Sequence, residues 1–250
     1  MKHPDLVAPL LLAVILSVVF GAVLLGDCFY ERDLTVYHFP MKSVVREAMR
    51  SGELPLWNPR YNGGQPLAAN PAYELFYPPQ WLVLLPSYFL GFRLHILLHF
   101  YLAALGMYAF CRSLGVQPAA AFFGGLVYAL GGTMLSLVNI LPFLFSMAWI
   151  PLILLYARRF LREPNRRDFA IAALLLGVQA LIGEPVTLLQ TWMLVGVYSL
   201  TRRDAKRVLL AIALIASGIA VASVQLVPSV DHAADSVRRA GFTYELVTTW

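Results

Sequence analysis

Val7–Leu25 reads VAPLLLAVILSVVFGAVLL, nineteen residues without a charge, and further apolar runs follow it along the chain. A run of that length is read as a helix crossing a bilayer, because about 20 apolar residues cover the hydrocarbon thickness. Lys2 and His3 precede it, as in a signal peptide, but no clear small-x-small cleavage site follows, so it reads as an uncleaved helix. With 59% hydrophobic and 13% charged residues, the chain falls outside the soluble class. The expected fold is all-α, a polytopic transmembrane helical bundle in one domain over residues 1–250, since lipid offers no partner to unpaired backbone groups.

The other runs are Leu94–Phe110, Ala119–Leu137, Pro142–Ala157, Phe169–Ile182, Pro185–Leu200 and Val208–Val227, which makes about seven membrane segments. The pair flanking Gly183 is short and reads either as two crossings or as a re-entrant hairpin; both return the chain to the same side. In the third run Ala120, Gly124, Tyr128 and Gly132 line up beside Ala121, Gly125 and Ala129, a surface that lets another helix come close.

The net charge of +5 would suit nucleic acid, but the basic residues cluster between apolar runs, which is a topology signal, and no nucleic-acid partner is expected. RRFLREPNRRD, TRRDAKR, Arg112 and Lys2 fall on one side, which holds eleven basic and four acidic residues against eight and ten on the other. By the positive-inside rule that side is cytoplasmic, so the expected location is the plasma membrane with the N-terminus inside. Cys28 and Cys111 then lie on opposite sides and form no disulfide.

Residues 27–80 become a long first extracytoplasmic loop, too aromatic for a disordered linker. Within it Met41–Arg50, MKSVVREAMR, has an amphipathic helical pattern: Val44, Val45, Ala48 and Met49 on one face, Lys42, Arg46 and Arg50 on another, with Ser51-Gly52 as the stop. Such a helix is expected at the membrane surface, its cations at phosphate depth. Gln80–Leu90 is too short to span and reads as an interfacial lead into the second helix. The chain stops at Trp250 in a stretch unlike a natural terminus, and is expected to be the N-terminal part of a longer protein.

Asp27, Glu31 and Asp33 sit within seven residues of the first run's outer end. A carboxylate there can accept a proton from a hydroxyl at the interface; a solvated, topology-marking cluster is the alternative. Glu184 interrupts an apolar hairpin and is either a functional group or a solvated turn residue. Glu74, between Tyr73 and Tyr77, either binds a ligand or satisfies local backbone donors. Tyr37 and Trp57 belong to a set of rings that stack on a sugar or anchor the loop at the interface. His95 and His99 share a helical face, but no third metal ligand accompanies them. No phosphate-cradling glycine loop, HExxH motif or cysteine cluster occurs.

From GDCFYERDLTVYHFP onward, through LPLWNPRYNGGQPLAANP, FYPPQWL, AWIPL and the Gly183-Glu184-Pro185 turn, the sequence resembles the bacterial YfhO-like membrane protein family, whose members look like glycosyltransferases of the GT-C fold. The resemblance implies transfer of a sugar from a polyprenyl-phosphate donor to an acceptor hydroxyl on the outer face, in an envelope glycan or a teichoic-type polymer. It assigns Asp33, the best match to the family's acid in the first outer loop, as the catalytic base, with Asp27 as a second acid or a metal partner. Lys42, Arg46 and Arg60 are the candidates for holding the departing phosphate. Glu74, Glu184, Tyr37 and Trp57 are the candidates for sugar or acceptor. Glu184 departs from the family, where a His commonly occupies this turn. Nothing in the spacing demands a metal; magnesium or manganese would suit Asp27 with Asp33. Two other readings remain: a lipid or polysaccharide transporter or flippase, and a non-catalytic envelope-assembly protein. The spans' shortage of ionisable residues leaves ion coupling little to work with.

Overall fold

The computed structural model describes residues 4–30, 33–52, 56–61, 63–201 and 204–234; Glu31, Arg202, Arg203 and the stretch after Ala234 lie outside these. Pro4–Val19 (α1) carries the first apolar run, with Ala8, Leu12, Leu16 and Phe20 forming the buried stripe at four-residue spacing. The helix breaks at Phe20 and resumes only for Gly21–Leu25 (α2). Leu34–His38 forms a π turn that runs into Phe39–Arg50 (α3). At this junction the Phe39 N–H reaches back five residues to Leu34 O, just before Pro40, which has no N–H to give.

Trp57–Asn58 (β1) and Gln65–Pro66 (β2) then pair antiparallel, followed by 3₁₀ turns at Pro71–Tyr73 and Pro78–Leu84. The remaining helices are Tyr88–Ser113 (α4), Pro118–Leu130 (α5), Gly132–Ser136 (α6), Leu141–Arg162 (α7), Arg166–Ala180 (α8), Pro185–Leu200 (α9), Ala205–Val221 (α10) and Ser223–Ala234 (α11). The class is all-α, as the apolar runs require.

The number of spans is not seven. Among the described residues three helical segments are long and apolar enough to cross a membrane: Tyr88–Ser113, Pro118–Asn139 and Leu141–Arg162. A fourth exists if α10 and α11, bent by 77° at their junction, count as one. The difference arises because an apolar run counts residues, whereas crossing needs unbroken rise. The first run is divided at Phe20, and α8 and α9, with 15 and 16 residues, rise about 23 Å against a hydrocarbon core of about 30 Å.

The centre of the bundle is α4, packed against α5 and α7, with α10 against α8 on the far side. Gly125 brings α5 onto α4: a Cβ there would lie 2.7 Å from Ala104 O, so the small-residue face is a contact face. Arg158 donates to Ser113 O at 2.9 Å, which places the C-terminal ends of α4 and α7 together. At the other end, Gly183 at φ +75° closes the α8–α9 turn against Pro71, leaving no room for a side chain.

The loop is inserted into this bundle. Tyr77 is fully buried and its hydroxyl meets His99 Nε2 at 2.5 Å, eleven residues into α4 and about 16 Å along its axis. Irregular backbone at such depth is tolerated where protein surrounds it. The apolar face of 41–50, expected to rest on lipid, is instead covered by the chain. The apolar face of α3, Met41 and Val45, packs on Leu67, Tyr73 and Leu75 of the loop itself, so the chain rather than lipid covers it.

Candidate functional site

Gly26 ends α2 at φ +145°, a conformation glycine adopts without strain, and delivers Asp27 to the surface. Asp33 stands half-buried at the start of the π turn, where its backbone N–H donates to Asn139 Oδ1 at 3.1 Å. Next to it Leu34, with Phe29, Phe39, Phe89 and Phe92, lines a cavity of about 170 Å³ that is almost wholly apolar. Its charged edge is Arg93. Nη1 of Arg93 donates to Val23 O at 3.0 Å and Asp27 O at 3.2 Å, tying the end of α2 to α4; Nη2 has no hydrogen-bond partner among the described residues. The apolar slot thus runs from Leu34, the residue after Asp33, to the Arg93 guanidinium, where the end of α2 is tied to α4.

Deeper in, Lys42 is fully buried. Its ammonium donates to Gln80 Oε1 at 2.5 Å, lies 2.7 Å from Glu74 Oε2 and sits 5.6 Å from the Phe145 ring centre. Gln80 is held in turn by Tyr73 O, and Tyr77 receives the indole N–H of Trp149 at 2.7 Å while it contacts His99. Glu74 occupies the left-handed region at φ 51°, a conformation uncommon for a residue with a side chain. Burial pushes Lys42 down and Glu74 up, and each partner's charge opposes the other's shift. Around the pair, Glu74 Oε1, His38 Nδ1 and both ring nitrogens of His95 have no hydrogen-bond partner among the described residues.

His38 is pushed down to about 3, first by burial and then by the Lys42 charge. Between that value and the ordinary 6.5 the unfolded chain binds a proton that the native chain refuses, so stability rises with pH across this window. Lowering the pH from about 7 to about 5 is expected to remove about 2 kcal/mol through this residue. Thermal unfolding in detergent at several pH values should show a shallower acid slope for His38→Gln; an unchanged slope would refute the assignment.

The remaining candidates from the sequence are dispersed. Lys42 is committed to Glu74, and Arg46 donates to the carbonyls of Val83, Leu85 and Pro86 at 2.5, 2.7 and 2.9 Å, closing the end of the Pro78–Leu84 turn. Arg60 pairs with Glu47 through two contacts of 2.5 and 2.8 Å on the exposed surface, which draws the Glu47 carboxyl below its ordinary value. Tyr37 packs against the α3 cluster, and Trp57 covers Gly64. Glu74 faces Lys42. Glu184 caps α9: its two oxygens accept Val186 N–H at 2.8 Å and Thr187 N–H at 2.6 Å.

That cap gives a further expectation. Glu184→Ala leaves two amides at the start of α9 without their cap, that of Thr187 buried, and should lower stability by about 1–2 kcal/mol in a thermal melt, whereas Glu184→Asp should retain most of it.

Among the described residues no three His, Cys, Asp or Glu side chains gather in ligating geometry, and no step below is routed through a metal. Two features escaped the sequence reading although signals existed. A lone cation near the start of an apolar span marks Arg93, and an acid directly before a proline marks Glu184 as a cap. Comparison with protein-family models, with curated proteins and with solved structures gives no match for this chain.

Proposed function

We propose that this chain acts in a membrane glycosyltransferase that moves a sugar from a polyprenyl-phosphate donor to a cell-envelope acceptor, with Asp33 as general base. The reaction class comes from the resemblance to the YfhO-like family and the GT-C fold. The observation that supports it is the apolar slot beside Asp33 with Arg93 at its edge, which suits the head of an isoprenoid chain ending in a phosphate. In this reading the Asp33 carboxylate takes the proton of the acceptor hydroxyl as its oxygen attacks the anomeric carbon. The bond from that carbon to the phosphate oxygen breaks, and polyprenyl phosphate leaves with the electron pair. Arg93 replaces Lys42, Arg46 and Arg60 as the cation nearest the developing charge. The reading also retains the plasma membrane, with residues 27–80 on the outer side, as the arginine distribution favours.

The direct test is a reconstitution of the complete protein in proteoliposomes with a panel of radiolabelled polyprenyl-phosphate hexoses and N-acetylhexosamines and an envelope-glycan fraction as acceptor. Transfer of label that depends on Asp33 supports the reading; absence of transfer across the panel, with folded protein present, rejects it. A second reading, a proton-coupled transporter, gains from one observation. The inserted loop carries Lys42, Glu74 and His38 into the bundle beside His95 and His99, supplying the deep titratable groups that the spans lack. Flux across the same vesicles that is lost in Glu74→Gln and kept in Asp33→Asn would favour it.

A further inference from the structure

The end of the bundle away from Asp33 holds a second site. A polar cavity of about 460 Å³ is lined by Arg158, Arg159, Arg162 and Arg167, with Glu163 and Asp168 as its acids. Asp168 is engaged by Asn165, whose amide donates to Oδ2 at 2.9 Å, and among the described residues none of the four guanidiniums forms an ion pair with a carboxylate. Four cations against two acids leave a local excess of positive charge.

Arg158 also lines an adjoining cavity of about 180 Å³, otherwise apolar, between α4, α7 and α9, where Phe110, Leu114, Leu154, Leu194 and Tyr198 form the walls. Its Nη1 donates to Ser113 O, which fixes the one residue that borders both cavities. Arg159 is steadied over the Tyr156 ring at 5.4 Å. The junction lies at the C-terminal ends of α4 and α7, two of the helices long enough to cross a bilayer, and so at the height where a lipid's phosphate meets its acyl chains. Topology alone would be served by arginines anywhere on this side; it does not call for an apolar slot opening among them.

We propose that this pair of cavities binds an anionic glycerophospholipid, its phosphodiester among Arg158, Arg159, Arg162 and Arg167 and the first part of one acyl chain in the slot beside Leu194. Guanidiniums match phosphate oxygens in shape as well as charge, which a zwitterionic headgroup exploits less because its own ammonium competes.

The test is retention of lipid by the complete protein, purified in detergent, exchanged against phosphatidylglycerol or phosphatidylcholine and read by native mass spectrometry and thermal shift. Phosphatidylglycerol should be retained, and Arg159→Gln with Arg162→Gln, both on the exposed surface, should weaken its binding roughly ten- to thirtyfold without altering the melt in phosphatidylcholine. Leu194→Trp, which fills the slot and leaves every arginine in place, should weaken it as well; Arg167→Gln serves if the double variant does not fold. Equal retention of phosphatidylcholine, undiminished binding in the variants, or stabilisation by inorganic phosphate as large as by the lipid would each overturn the proposal. None of these residues touches the Asp33 site, so failure here leaves the glycosyltransferase reading standing, and the converse holds.

Discussion

Lys42→Met is expected to lower stability by about 3–5 kcal/mol, because it strands the Glu74 carboxylate where neither water nor another cation reaches it. The loss should be far larger than for Arg60→Met, whose exposed pair with Glu47 is solvated on both sides. It should also depend on pH with a definite sign. Burial already raises Glu74, and removing the Lys42 charge, which opposes that rise, raises it further. The native variant then holds a proton that the unfolded chain releases, so its stability falls as pH increases above the ordinary carboxylate range and recovers toward acid. Lys42→Met combined with Glu74→Gln should recover most of the loss, since no charge then remains to be stranded. Thermal or denaturant unfolding of the four proteins at two pH values decides the matter; equal destabilisation by Lys42→Met and Arg60→Met would contradict the burial of the pair.

The second large effect concerns chemistry. Under the proposed function, Asp33→Asn should reduce sugar transfer about 10²- to 10⁴-fold at matched amounts of folded protein, the range spanned by loss of a positioned base. Arg93→Gln should also reduce transfer, and it carries a structural cost because Val23 O and Asp27 O lose their donor. Scoring both variants for donor affinity and turnover separates the roles. A base acts on turnover, and a phosphate-binding guanidinium acts on both. Full transfer by Asp33→Asn at normal abundance would end the assignment of Asp33.

Much of the helical layout was legible from composition and periodicity. Pro185–Leu200 coincides with α9 to the residue, and Leu94–Phe110 and Pro142–Ala157 lie inside α4 and α7. These helices follow from local rules: an apolar run, a proline able to open a helix, a polar residue able to cap it. Local rules also carried the helix at 41–50, observed as Phe39–Arg50. They could not say which surface its apolar face would meet. That depended on Leu67, Tyr73 and Leu75, more than twenty residues downstream, folding back over Met41 and Val45.

The sequence by itself determined an all-α chain with helices apolar enough for a bilayer, because backbone hydrogen bonding and hydrophobic period act over a few residues and are written in consecutive side chains. Only the tertiary structure decided that Lys42 and Glu74 form a buried pair, that Glu184 serves as a cap, that Arg93 ties the end of α2 to α4 and that, among the described residues, three or four segments, not seven, have the reach to cross. Each of these depends on where the chain bends and what it inserts into the gap. A charge that looks solvated in sequence is buried once a distant segment supplies its counter-charge and excludes water from both.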